Sequence, residues 1–227
     1  MSFLPFERDT LSSPAWLVPF DDFARKVRSA GVAVLLDRLV DGVWVPQDTA
    51  AVRTPSAAFA YPGLGGRAAQ AQRHRARFEA AGYRPLYPAD GEPFDAGTAG
   101  VEFTAPGEGT PAPRLVRLLP SETFAYPPGV RTVHGVVVDA ATRNPVANAL
   151  VEARGRTSVD LVPWQERTLT GALGAFRLAL RWDGEAGDGN TETFRLEATE
   201  RPGRTGSLEV RLPADAGTRH VIEIREQ

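Results

Sequence analysis

From Gly31 onward, apolar residues recur at every second position in runs of four to eight, each closed by Gly, Pro, Asp or Asn. Alternation of this period between turn residues marks half-buried strands. The runs predict strands near 31–38, 43–45, 49–54, 57–61, 73–80, 100–104 and 114–119. They resume near 132–139, 149–154, 165–170, 174–181, 192–199, 206–212 and 219–225. Residues 1–30 differ, because Pro5, Pro14 and Pro19 interrupt any early regularity. Only Phe20 to Ser29 could wind into a helix, with Asp21 and Asp22 at its front and Arg25, Lys26 and Arg28 at its back, the polarity a helix dipole favours. Residues 1–30 therefore read as an extended N-terminal arm with a short helix, a lid on its own domain or a strap onto a neighbour.

The stretch 67–81 is rich in alanine and arginine, and by propensity alone it would be helical. Comparison of the two halves of the chain argues for a strand instead. Ala76 to Ala81 matches Phe194 to Thr199 at an offset of 118, and Phe59-Ala60-Tyr61 matches Phe176-Arg177-Leu178 at 117. Val101-Glu102-Phe103 falls on Leu208-Glu209-Val210, and Arg114 to Leu118 on Arg219 to Glu223. Asp37 set against Asp139 gives an offset of only 102, which would place an insertion of the second copy around Gly155 to Glu166. The expected organisation is a duplicated β domain: a first, diverged β-sandwich over 31–119, a Pro-rich linker over 120–130 and a second β-sandwich over 131–227.

Composition narrows the function classes. A chain of 227 residues is long enough for two domains of roughly 100 residues with real cores. The absence of cysteine excludes a disulfide framework, thiolate metal sites and a cysteine nucleophile. A net charge of -2 gives no steering toward nucleic acid. Lys26 is the only lysine among 26 basic residues, which reads as coding bias. The first nine residues have no signal-peptide pattern, and the longest apolar run, Gly31 to Leu36, is far short of the roughly 20 residues a bilayer needs. Synthesis in the cytoplasm without a signal peptide is expected, with no membrane partner and no nucleic acid.

Three segments of the second half carry a resemblance: Val133-His134-Gly135-Val136-Val137-Val138-Asp139, then Asn144-Pro145-Val146-Ala147-Asn148-Ala149-Leu150-Val151-Glu152-Ala153, then Thr168-Leu169-Thr170-Gly171-Ala172-Leu173-Gly174-Ala175-Phe176-Arg177-Leu178. Together they resemble the carboxypeptidase-regulatory-like domain, a transthyretin-like (prealbumin-like) β-sandwich. Arg53 to Leu64 and Ala80 to Pro85 look like a diverged copy of it. The joint, Arg117 to Gly129, resembles the linker of two-domain proteins associated with phage tails and contractile injection systems. The resemblance implies an all-β chain of two tandem transthyretin-like (Ig-like) β-sandwiches. It implies little about function, since such sandwiches are accessory modules on many proteins.

Few residue sets in the chain fit catalysis or metal binding. His220-Val221-Ile222-Glu223 spells His-x-x-Glu, but on a strand those two positions face opposite sides. No third histidine follows to complete a zinc site. Hydroxyisourate hydrolases and intradiol dioxygenases, enzymes on transthyretin-like folds, need residue sets this chain lacks. Asp183 to Asn190 looks like a calcium loop but has Phe194 where the bidentate Glu should stand, so a solvated hairpin loop is preferred and weak calcium binding stays open. Gly63-x-Gly65-Gly66 opens no helix, and no Gly-x-Ser-x-Gly occurs. Arg67, Arg73, Arg75 and Arg77 form a basic stretch whose alternation needs only a solvated or interface face of a strand.

The expected function is that of a non-enzymatic structural or adaptor protein in a phage tail, baseplate or contractile particle, carried in the virion or injection particle. Its partners would be other structural proteins or copies of itself, with no cofactor, no metal and no small ligand. The candidate interaction residues are Trp16, Phe20, Phe23, Trp164 and Tyr126, since aromatics are favoured at interface centres. The alternative is a carbohydrate-binding module using Trp164 and Trp182.

Overall fold

The computed structural model describes residues 12–64, 70–107, 111–157, 160–187 and 191–227. Among them regular structure is β throughout, apart from one 3-10 turn at Pro62–Leu64. The chain is all-β, built as two β-sandwiches in tandem, each closed around its own apolar cluster.

In the first sandwich one sheet runs in the order β5 (Val52–Arg53), β6 (Phe59–Ala60), β1 (Trp16–Asp21), β10 (Arg114–Pro120), β8 (Tyr83–Leu86), with β2 (Lys26–Val27) pairing the end of β1. The facing sheet runs β4 (Val43–Gln47), β3 (Val32–Val40), β7 (Gln72–Ala80), β9 (Val101–Ala105). Leu17, Phe59, Tyr61, Val116 and Leu118 from the first meet Leu36, Ala76, Phe78 and Val101 from the second. Burying each Leu or Phe contributes about 1.5–3 kcal/mol. β7 settles the conflict between propensity and period: His74, Ala76 and Phe78 face inward, leaving Arg73, Arg75 and Arg77 outward. Arg67 lies outside the described residues, as do Gly65 and Gly66.

In the second sandwich β11 (Thr132–Asp139) lies between β14 (Ala175–Ala179), antiparallel to it, and β18 (Arg219–Glu226), parallel. The other strands run β13 (Pro163–Leu169), β12 (Leu150–Arg156), β16 (Glu192–Arg201), β17 (Arg204–Leu212), with β15 (Glu185–Ala186) beside β16, and join the first three where Arg204 and Thr205 of β17 pair with the end of β18. The acidic stretch 183–190 is thus part of a hairpin between β15 and β16, of which 188–190 lie outside the described residues.

Pairing makes the duplication explicit and resets its register. In one sandwich β1 is parallel to β10 and antiparallel to β6; in the other β11 is parallel to β18 and antiparallel to β14. β3 with β4, β7 and β9 repeats as β12 with β13, β16 and β17. Leu17 pairs with Phe59 as Gly135 pairs with Phe176, offsets of 118 and 117. The counterpart of Asp139 is therefore Asp21, at the end of β1, and not Asp37 in β3. An insertion falls in the first copy, where β8 and the loop 87–100 separate β7 from β9, while β16 and β17 join by a tight turn at 202–203. The β12–β13 loop is also longer than the β3–β4 turn.

The opening segment differs from expectation for the same reason. No helix forms over 20–29, and Trp16 to Asp21 is an interior strand of the first sandwich. Burial alternates strictly along it, with Leu17, Pro19 and Asp21 inside. Pro19, which has no N–H to give, stands between the residues paired to β6 and those paired to β2. Asp21 does cap a turn: its Oδ1 accepts from the Ala24 N–H at 2.8 Å, but the chain then reverses into β2. Residues 1–11 lie outside the described residues.

Candidate functional site

Three bridges join the sandwiches. The first is apolar: Leu86 and Leu119 of the first unit pack with Leu150 and Leu169 of the second, and Phe94 of the loop 87–100 covers them. That loop reaches across, and the Ala96 N–H donates to the Glu200 carbonyl at 2.7 Å. The second is ionic. Asp22, buried in the turn after β1, accepts from Arg117 of β10 at 3.0 Å and from Arg167 of β13 at 2.6 Å through one oxygen, and again from Arg167 at 3.2 Å. Arg117 is also clamped by Asp90, whose carboxyl that hydrogen bond and charge hold below the ordinary carboxylate range. The third is aromatic: Phe23 meets Phe124 and Tyr126 at 5.5 and 5.3 Å between centroids, Tyr83 closes on Phe124 at 5.0 Å, and Arg181 lies over Phe23 at 4.3 Å.

These placements reassign the aromatics read from sequence. Phe23 and Tyr126 are brought together, at the internal junction. Phe20 lies under the Arg117 guanidinium at 5.4 Å. Trp16 is a half-buried residue of β1, and Trp164 is a core residue of the second sandwich, tilted against Phe194. None of the five is fully exposed: Trp16, Phe20, Phe23 and Tyr126 are half-buried and Trp164 is buried. Of the rejected metal motif, His220 faces the core with Ile222 and Ile224 while Glu223 is on the other face, bonded to Arg143.

Two features remain open to a partner. One is a cleft of about 1050 Å³ between the loop 86–94 and the outer face of β12 and β13, walled by Asp90, Phe94, Arg154, Gln165 and Trp182 among others. Trp182 is 42% exposed, and its indole Nε1 donates to Glu166 at 3.1 Å. Burial pushes the Glu166 carboxyl up, against the opposing effect of Arg181, which donates to it at 2.8 Å. The other is the open side of the first sandwich, where β4 ends one sheet and β5 the other. There Val43 is 64% exposed, with Val45 and Val52 also exposed. Its counterpart in the second copy, β13, is covered by the first sandwich: Thr168 Oγ1 donates to the Pro120 carbonyl at 2.7 Å, and Arg25 to the Gln165 carbonyl. Among the described residues no group of three or more His, Asp or Glu is placed to hold a metal ion.

On the outer face of β3 and β7, Asp37 accepts from both Arg75 and Arg77, at 2.7 to 3.0 Å. Burial alone would raise its carboxyl; the hydrogen bonds and charges of Arg77 and Arg75 outweigh that and lower it. Arg75 also lies over Trp44 at 4.7 Å. The arginine alternation thus serves a fixed ionic cluster on a sheet face.

No protein-family model matches the chain, and no curated protein matches it by sequence. Among solved structures, a streptococcal ancillary pilin aligns with 97% of this chain at 15% identity and a TM-score of 0.31. The alignment spans 64% of the pilin, just under two thirds of its length. So distant a likeness says nothing of function.

Proposed function

We propose that the protein is a non-enzymatic structural adaptor of a macromolecular assembly, its two units being variants of the carboxypeptidase-regulatory-like, transthyretin-like sandwich. The observation that carries this reading is the contrast between equivalent edges. β13, at the end of its sheet, is contacted by the neighbouring sandwich through Arg25 and Thr168, whereas β4, its counterpart, ends its sheet with Val43 and Val45 exposed, as is Val52 of β5. Unpaired apolar edges recruit a strand or an apolar face from another chain. The partner would be another structural protein of the particle, in a setting such as a phage tail, baseplate or contractile injection particle, with which the chain would travel. The test is a photo-crosslinking amino acid at position 43, with position 173, also strongly exposed, as control. A crosslink from 43 to one distinct structural protein is expected in the producing cells; crosslinks no more frequent from 43 than from 173 would overturn the assignment.

A second reading, a carbohydrate-binding module, is favoured by one observation: Trp182 stands open at the cleft with its orientation fixed by Glu166.

A further inference from the structure

Resting on that second reading, we propose that the cleft between the sandwiches binds a neutral saccharide, with Trp182 as the platform on which a sugar ring stacks. Its volume, about 1050 Å³, is just above the range of ordinary ligand sites, roughly 300–1,000 Å³. That is room for an oligosaccharide.

Charge selects the class of ligand. Arg25, Arg117, Arg154 and Arg167 line the cleft with Asp90, Glu92 and Glu152, and cations and carboxylates are tied to each other. Arg154 bonds Glu152 at 2.7 Å, Arg117 is held by Asp90 and Asp22, and Arg167 by Asp22. A phosphate or polyanion would have to break these pairs, and a polycation would meet arginines. An uncharged polyhydroxyl ligand needs neither. It can use the remaining donor and acceptor edges of the ion pairs and of Gln165, whose Nε2 donates to Glu152 at 2.5 Å.

Aromatic geometry selects it further. Trp182 keeps its indole N–H on a carboxylate that is itself gripped by Arg181, so the ring is pre-oriented and little freedom is lost on stacking. Trp164 lines the same cleft and its buried Nε1 has no hydrogen-bond partner. A peptide added as a strand on β13 would have to displace Arg25 from the Gln165 carbonyl.

The experiment titrates the full chain with maltohexaose, cellohexaose, chitohexaose and mannohexaose, with tetragalacturonate as the charged comparison, reading tryptophan emission. The expected result is saturable binding of one neutral oligosaccharide at millimolar concentration or below. Trp182→Ala and Arg154→Ala should each weaken it about tenfold, some 1.4 kcal/mol, while Trp44→Ala, on the first sandwich, leaves it unchanged. Arg154→Ala guards against misfolding of the tryptophan variant, since Arg154 is largely exposed. Binding that survives in both cleft variants would overturn the site but leave the carbohydrate reading standing. No response to any neutral sugar, or preference for the uronate, would overturn both. Neither result bears on the crosslink from position 43.

Discussion

Asp22 takes hydrogen bonds from Arg117 of one sandwich and Arg167 of the other while itself buried, so its removal strips Arg167 of its carboxylate and leaves it beside an Arg117 that keeps only Asp90. Breaking a buried ion pair by deleting one partner costs about 3–5 kcal/mol. Asp22→Ala is expected to lose stability on that scale in urea unfolding, and Asp22→Asn less, because an amide oxygen can still accept. Asp37 gives a pH signature instead. Its folded-state carboxyl is lowered, so its contribution is present above the unfolded value near 3.9 and is lost as pH falls through the folded one. The stability difference between wild type and Asp37→Asn should therefore be full at neutral pH and shrink below about pH 4. A difference constant from pH 7 to pH 2.5 would contradict the arginine clamp.

At the scale of elements, strands were legible wherever alternation was clean, and β7 shows that period outweighed the helix propensity of its alanines and arginines. Four strands escaped. β1 was hidden by Pro19 and by the helix-like order of acids before bases, which serves a capped turn and the junction instead. β2 and β15 have two residues each and β8 contains Pro85, so none has a readable period. The repeat was visible, but matching Asp37 to Asp139 displaced its beginning, because identical residues were weighed where pairing partners decide register. The cleft was legible only as Trp164 and Trp182. Its other wall, the loop 87–100, has no counterpart in the second copy, and its partners lie far along the chain. That loop is expected to hold the sandwiches together: replacing 88–98 by a glycine-serine linker should split one calorimetric transition into two. Leu119→Ala, in the apolar bridge, should cost about 2–5 kcal/mol.

At the scale of the whole molecule, two sandwiches joined by a short linker would ordinarily move relative to one another. Here the linker is itself tied down: the Ser121 N–H donates to the Gly82 carbonyl at 2.9 Å, and Phe124 and Tyr126 pack on Phe23. With no disulfide in the chain, rigidity rests on the leucine cluster, the Asp22 network and this aromatic group. A rigid tandem places the open edge of β4 at a fixed direction from the second sandwich and keeps the walls of the cleft in register. Both functional readings depend on that. The most direct measurement is backbone N–H residual dipolar couplings of the full chain in dilute alignment medium. Couplings from residues 16–120 and 132–226 should fit one common alignment tensor; two tensors of different magnitude would show independently moving units and contradict the rigid junction.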